Sequence, residues 1–176
     1  MLSDHYELLG LHDVGLTEDI PEPFDTFAAN ARAKALYAYE KTGIPSFSDD
    51  SGLEVLALHY QPGVLSARYA GPQKSDLDNI TKLLVEMEKI EARQARFVTV
   101  FAYQGNKHDC HFFNGIVEGR IGLEPMGNHG FGYDPVFIPS GFDLSFGQLD
   151  QHIKKAISHR AKAMSKLLAY LASNRA

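Results

Sequence analysis

Arg96-Phe-Val-Thr-Val-Phe-Ala-Tyr-Gln104 is followed, beyond Gly105-Asn106, by Cys110-His-Phe-Phe-Asn-Gly-Ile-Val-Glu-Gly119. Their β-branched and aromatic residues predict two long strands, and Gly105-Asn106 predicts the hairpin turn between them. Two successive strands with no helix between them break any steady alternation of strand and helix. Helical stretches lie on either side. Residues 25–41 carry Ala31, Ala33, Ala35, Leu36 and Ala38, with Gly43 as the stop. Residues 75–89 place Leu77, Ile80, Leu84 and Met87 at helical spacing. A last helix starts near Ser158 and carries the stripe Met164, Leu167, Leu168 and Leu171. Residues 45–55 predict two short strands, or a strand and a turn, centred on Asp49-Asp50-Ser51-Gly52, and residues 136–138 a short strand. Pro62-Gly63 marks a further turn. The fold class is α/β or α+β with a long mixed sheet, expected as a single domain over residues 1–176.

Composition narrows the function. The chain has 176 residues with 44% hydrophobic and 22% charged side chains, the balance of a globular domain that builds its own core. Its net charge of −5 argues against a binder of nucleic-acid polymers, which works by neutralising phosphates. The single cysteine, Cys110, forms no internal disulfide and suits a reducing compartment. The apolar run at residues 97–103 is broken by Thr99 and falls far short of the ~20 residues that span a bilayer. Met1-Leu-Ser-Asp-His has no basic-then-apolar pattern, so the expectation is a cytoplasmic protein with no membrane partner.

Four clusters offer chemistry. Asp49-Asp50-Ser51-Gly52 has the composition of a solvated turn. Paired carboxylates also suit a hard cation such as Mg²⁺, although alternation along a strand sends the two side chains to opposite faces. Glu22 precedes the first long helix, where an acid complements the helix dipole, and only the company of Asp50 would make it a metal ligand. In Gly127-Asn-His-Gly-Phe-Gly-Tyr-Asp-Pro135, glycines let backbone N–H groups approach a ligand, and Phe131 and Tyr133 offer stacking faces for a base. Lys154, His159 and Arg160 lie about the start of the last helix. If Ser158 caps that helix, a cation in its first turn costs about 0.3–1 kcal/mol, a cost that binding an anion or a carbonyl oxygen would explain. If the helix starts earlier, near Leu149, that argument disappears. His108-Asp-Cys110-His111 is set aside as a metal site, because on a strand His108 and Cys110 would share one face and His111 the other.

Ser48-Asp-Asp-Ser-Gly-Leu53, Ser66-Ala-Arg-Tyr-Ala-Gly71, Gly130-Phe-Gly-Tyr-Asp-Pro135 and Ala156-Ile-Ser-His-Arg160 occur in this order. Together they closely resemble the inosine/xanthosine triphosphate pyrophosphatase family, and the likeness extends to Glu22 and Thr26-Phe-Ala-Ala-Asn30. The resemblance implies an elongated, mixed, curved sheet flanked by helices, a homodimer and a Mg²⁺ requirement. It also implies cleavage of non-standard purine nucleoside triphosphates (ITP, dITP, XTP) to the monophosphate and pyrophosphate. Residue by residue, it makes Asp50 the general base and a metal ligand, with Glu22 as the second metal ligand. Ser51, Phe131, Gly132, Tyr133, Asp134, Lys154, His159 and Arg160 become substrate contacts. The family also opens with a buried strand and a Ser/Thr-x-Asn-x-x-Lys phosphate loop. That pattern occurs nowhere here, and Met1-Leu-Ser-Asp-His-Tyr6 looks like the helix end that follows it. The expectation is a chain lacking one strand and one loop, on the order of 15–20 residues.

Charge supports the enzyme reading. An acidic protein that takes a polyanion needs local cations, and Lys154, Arg160 and a bound Mg²⁺ would provide them. Two alternatives stand beside it: a nucleotide-binding or dimerising protein with little turnover, and a Maf-like nucleotide pyrophosphatase that prefers other bases.

Overall fold

The computed structural model describes residues 6–174. Its helices are α1 (Phe27–Thr42), α2 (Asp76–Glu86), α3 (Gln151–Ile157) and α4 (His159–Ser173). Its strands are β1 (Ser46–Val55), β2 (Gln94–Asn106), β3 (Asp109–Ile121) and β4 (Phe137–Pro139), forming one sheet in the order β1-β2-β3-β4. β4 pairs antiparallel with β3, with Gly119 opposite Pro139 and Ile121 opposite Phe137. The fold is mixed α/β, a four-stranded sheet with helices flanking it. No helix among the described residues is long and apolar enough to cross a membrane.

The chain divides into two compact units. The first takes the described part of Met1–Asp50, Val100–Phe113 and Ala163–Ala176, and the second takes Ser51–Thr99 and Asn114–Lys162. In the first unit, Thr26 caps α1 by accepting from Ala29 N–H, and Gly43 ends it in the left-handed conformation at φ 69°. Alanine at 31 and 35 leaves no side chain beyond Cβ, so this face of α1 packs closely against Ala102 and the half-buried Cys110. Burial pushes the Cys110 thiol pKa up. Phe101, Leu167 and Leu171 form a second cluster with Phe47, Tyr103 and Tyr170. The helix end expected at the start of the chain lies outside the described residues except for Tyr6, whose hydroxyl donates to the Leu171 carbonyl at 3.1 Å.

The second unit is built on Phe97, Phe137 and Phe146, with ring centroids 4.6 Å apart for Phe97–Phe137 and 5.3 Å apart for Phe137–Phe146. Leu53, Val55, Leu83, Met87 and Ile121 fill in around them. Arg93 donates to the carbonyls of Met87, Ile90, Ile121 and Gly122, tying the end of α2 to the end of β3.

Several expectations change. Asp49-Asp50-Ser51-Gly52 is not a turn: β1 runs straight through it, and Asp50 and Gly52 are buried. Local turn chemistry loses to ladder pairing here, as β-structure commonly overrides intrinsic preference. The β2–β3 turn falls at Lys107-His108 rather than Gly105-Asn106, so His108 is a turn residue and not a strand residue. Asn106 serves that turn through its side chain, which accepts from His108 N–H at 3.0 Å. α2 ends at Glu86, and its buried face is Asn79, Ile80 and Leu83, while Leu77 is 71% exposed. The last helical stretch is two helices with a break at Ser158.

Candidate active site

In the first unit, Asn30 lies within α1, fully buried, and its side chain serves three partners. Its Oδ1 accepts from Phe24 N–H at 3.0 Å, and its Nδ2 donates to the Phe24 carbonyl at 3.1 Å and to Asp50 Oδ2 at 3.0 Å. The buried Asp50 carboxyl is thereby held by a neutral amide donor. Lys34, one turn further along α1, donates to Glu22 Oε1 at 2.6 Å. Glu22 is thus tied to the same helix that orients Asp50. Among the described residues, no group of three or more His, Cys, Asp or Glu side chains gathers as a metal cluster.

The second unit holds a cavity of about 470 Å³, within the range of small-molecule sites. Its lining brings together Ser51, Phe131, Gly132, Tyr133, Asp134, Lys154, His159 and Arg160. These come from β1, the glycine loop, α3 and the first turn of α4. Gly130 has φ +83°, and a Cβ there would strike the Asp134 carboxylate and the Lys154 amine, so only glycine fits. Asp134 is 2% exposed; its Oδ2 accepts from Phe131 N–H at 2.8 Å and pairs with the Lys154 ammonium. A buried carboxylate so paired escapes the full cost of desolvation.

Phe131 is 62% exposed. Two cations attend it: Lys154 Nζ lies 4.9 Å from the ring centroid and the Arg160 guanidinium 5.5 Å. Tyr133 behaves differently. It is 3% exposed, its hydroxyl donates to the Ser66 carbonyl at 2.9 Å, and burial pushes its pKa well above the usual phenol value. Within the cavity wall Tyr133 is therefore an anchor rather than an open stacking face. Ser51 Oγ shares a 2.7 Å hydrogen bond with Thr99 Oγ1.

Helix boundaries explain the cations. α3 starts one residue after its cap Asp150 and ends at Ile157, while Ser158 is extended with its hydroxyl accepting from Ala161 N–H at 3.2 Å. Ser158 therefore caps α4, and His159 and Arg160 occupy its first turn. The His159 ring is buried and stacks on Phe97 at 4.7 Å with an 8° interplanar angle, which fixes its orientation. Lys154 belongs to α3, not to the start of the last helix.

Sequence reasoning did not single out Lys34, Asp76 or Asn79 as site-supporting residues, and Asn30 entered only through a motif. One signal was present for the asparagines. Asn is a poor helix-interior residue, and its place in α1 and α2 points to a partner outside the helix.

This geometry can be set against known proteins. The Ham1 family model matches residues 1–170. The dITP/XTP pyrophosphatase of Flavobacterium psychrophilum is 46% identical over 170 residues, covering 97% of this chain and 89% of that one. That of Christiangramia forsetii is 47% identical over 173 residues, covering 97% and 90%. The solved structure of the Staphylococcus aureus Ham1 protein superposes with a TM-score of 0.93 at 38% identity, covering 98% of this chain and 90% of the other. With one family model spanning nearly its whole length, the chain belongs to the Ham1 family.

Proposed function

We propose that the protein hydrolyses non-standard purine nucleoside triphosphates (ITP, dITP and XTP) to the monophosphate and pyrophosphate. The observation that carries this reading is the exposed Phe131 ring flanked by Lys154 and Arg160 in a cavity of about 470 Å³. A flat aromatic face accepts any purine by stacking, so stacking alone selects nothing. Selection falls to the donors. His159 and Arg160 can donate to a 6-keto oxygen, whereas the 6-amino group of adenine is itself a donor and offers them no acceptor at that position.

Asp50 takes the role of general base. Water attacks a phosphorus of the α–β phosphoanhydride, the bond from that phosphorus to the bridging oxygen breaks to part the monophosphate from pyrophosphate, and a proton of the water passes to the Asp50 carboxylate. The Asn30 bond holds that carboxylate in place without neutralising it.

Mg²⁺ is the expected metal, and the donor chemistry fits it. This ion is ordinarily held by one or two carboxylates, with water and substrate phosphates completing the shell. Asp50 and Glu22 would hold it, with Lys34 orienting Glu22. When bound, Mg²⁺ supplies neutralising charge at the phosphates and lowers the pKa of water. The family resemblance further supports a homodimer, and the single cysteine suits a protein of the reducing cytoplasm.

The test is product analysis. Incubation with ITP and Mg²⁺ should release IMP and pyrophosphate in equal amounts. Release of IDP and orthophosphate, or binding of ITP with no turnover, contradicts the reading.

A further inference from the structure

Asp76, in the first turn of α2, lines the cavity, and it and Asn79 both hydrogen-bond outside the helix. Asp76 Oδ2 accepts from Gly132 N–H at 2.7 Å, although the two residues stand 56 positions apart. One turn on, Asn79 is 2% exposed; it donates to the Ala67 carbonyl at 3.0 Å and accepts from Ala70 N–H at 2.7 Å. Opposite, the Tyr133 hydroxyl donates to the Ser66 carbonyl. The glycine loop and the short 3-10 helix Gly63–Arg68 with the residues after it thus hang from one helical turn.

Phe131 sits between two held peptide planes. Its own N–H goes to Asp134, inside the loop, and the N–H of the next residue, Gly132, goes to Asp76, outside it. The second peptide contains the Phe131 carbonyl, so fixing it fixes the backbone from which the ring projects. Gly132 has φ +58° and no side chain to restrain it, so the Asp76 bond supplies an external restraint. A charge-assisted bond of this kind is about twice as strong as a neutral one.

We propose that Asp76 is a positioning residue that latches the glycine loop and holds the Phe131 ring ready for the purine base, setting substrate affinity without taking part in bond cleavage. This assignment rests on the reading that Phe131 receives the base. Binding to a restrained platform avoids the cost of ordering it on contact.

Three variants test the latch: Asp76→Ala, Asp76→Asn and Phe131→Ala, each assayed for ITP kinetics, melting temperature and amide exchange at Gly132. Asp76→Ala should raise KM about tenfold while kcat stays within about twofold, the split that marks lost uniform binding. Its melting temperature should barely move, because Asp76 is exposed, and exchange at Gly132 should accelerate. Asp76→Asn should recover most of the affinity, because its amide oxygen still accepts from Gly132. If Asp76→Ala leaves KM unchanged while Phe131→Ala raises it, the latch is wrong and the base-binding reading stands. Equal losses in Asp76→Ala and Asp76→Asn also overturn the latch. If neither Asp76→Ala nor Phe131→Ala moves KM, the Phe131 reading falls. Unchanged Gly132 exchange in Asp76→Ala then overturns the latch independently.

Discussion

Asn30 Nδ2 donates to Asp50 Oδ2 at 3.0 Å, a buried bond between a helix and a strand that holds the carboxyl group. Replacing Asp50 by Asn removes the charge and keeps the shape. The amide oxygen can still accept from Asn30, so the fold should survive with its melting temperature close to that of the parent. Turnover should fall below about a tenth of the parent kcat at saturating Mg²⁺, because an amide does not accept a proton from water. A variant that keeps more activity than this removes Asp50 from the role of base.

Gly130→Ala should damage both stability and activity. The new Cβ meets the Asp134 carboxylate and the Lys154 amine, and φ +83° is strained for alanine. A cost of about 1–3 kcal/mol is expected from such strain. At this chain length each kcal/mol lowers the melting temperature by about 2–4 °C. Calorimetry together with ITP kinetics checks it. An unchanged melting temperature would mean that the loop relaxes freely and that Asp134–Lys154 does not define it.

Alkaline pH should destabilise the protein through two buried phenols. Burial, reinforced by the hydrogen bond to Glu86, raises the Tyr69 pKa, and burial raises that of Tyr133. Above pH 10 the unfolded chain sheds protons that the folded chain retains, so folding stability is complete below that value and falls as pH rises through it. Urea titrations between pH 9 and pH 11.5 should show this decline, and it should be shallower in Tyr133→Phe. A stability independent of pH across that window contradicts the burial of both hydroxyls.

Local pattern made much of this fold legible, and tertiary contact decided the rest. α1 could be read because its alanines, its cap Thr26 and its stop Gly43 agree. β1 could not, because Asp, Ser and Gly favour turns until a neighbouring strand pairs with them. Leu77 matched a helical stripe yet faces solvent, while Asn79, polar by composition, is the buried residue. Periodicity places a face but does not say which of two adjoining faces meets the core. For the site, the glycine loop and Arg160 were visible as motifs, but Asp76 was not. Its partner Gly132 lies 56 residues away, and nothing adjacent in sequence marks the pair.

The central claim is that the cavity reads the 6-keto group of a purine, and paired measurements of kcat/KM for ITP and ATP test it most directly. A site that pairs its donors with the correct base can reject the wrong one by as much as about 10⁴-fold. ITP should therefore exceed ATP by at least about a hundredfold under identical Mg²⁺, and the gap should narrow in Arg160→Ala, which removes a donor. Equal values for ITP and ATP in the parent protein would contradict the account.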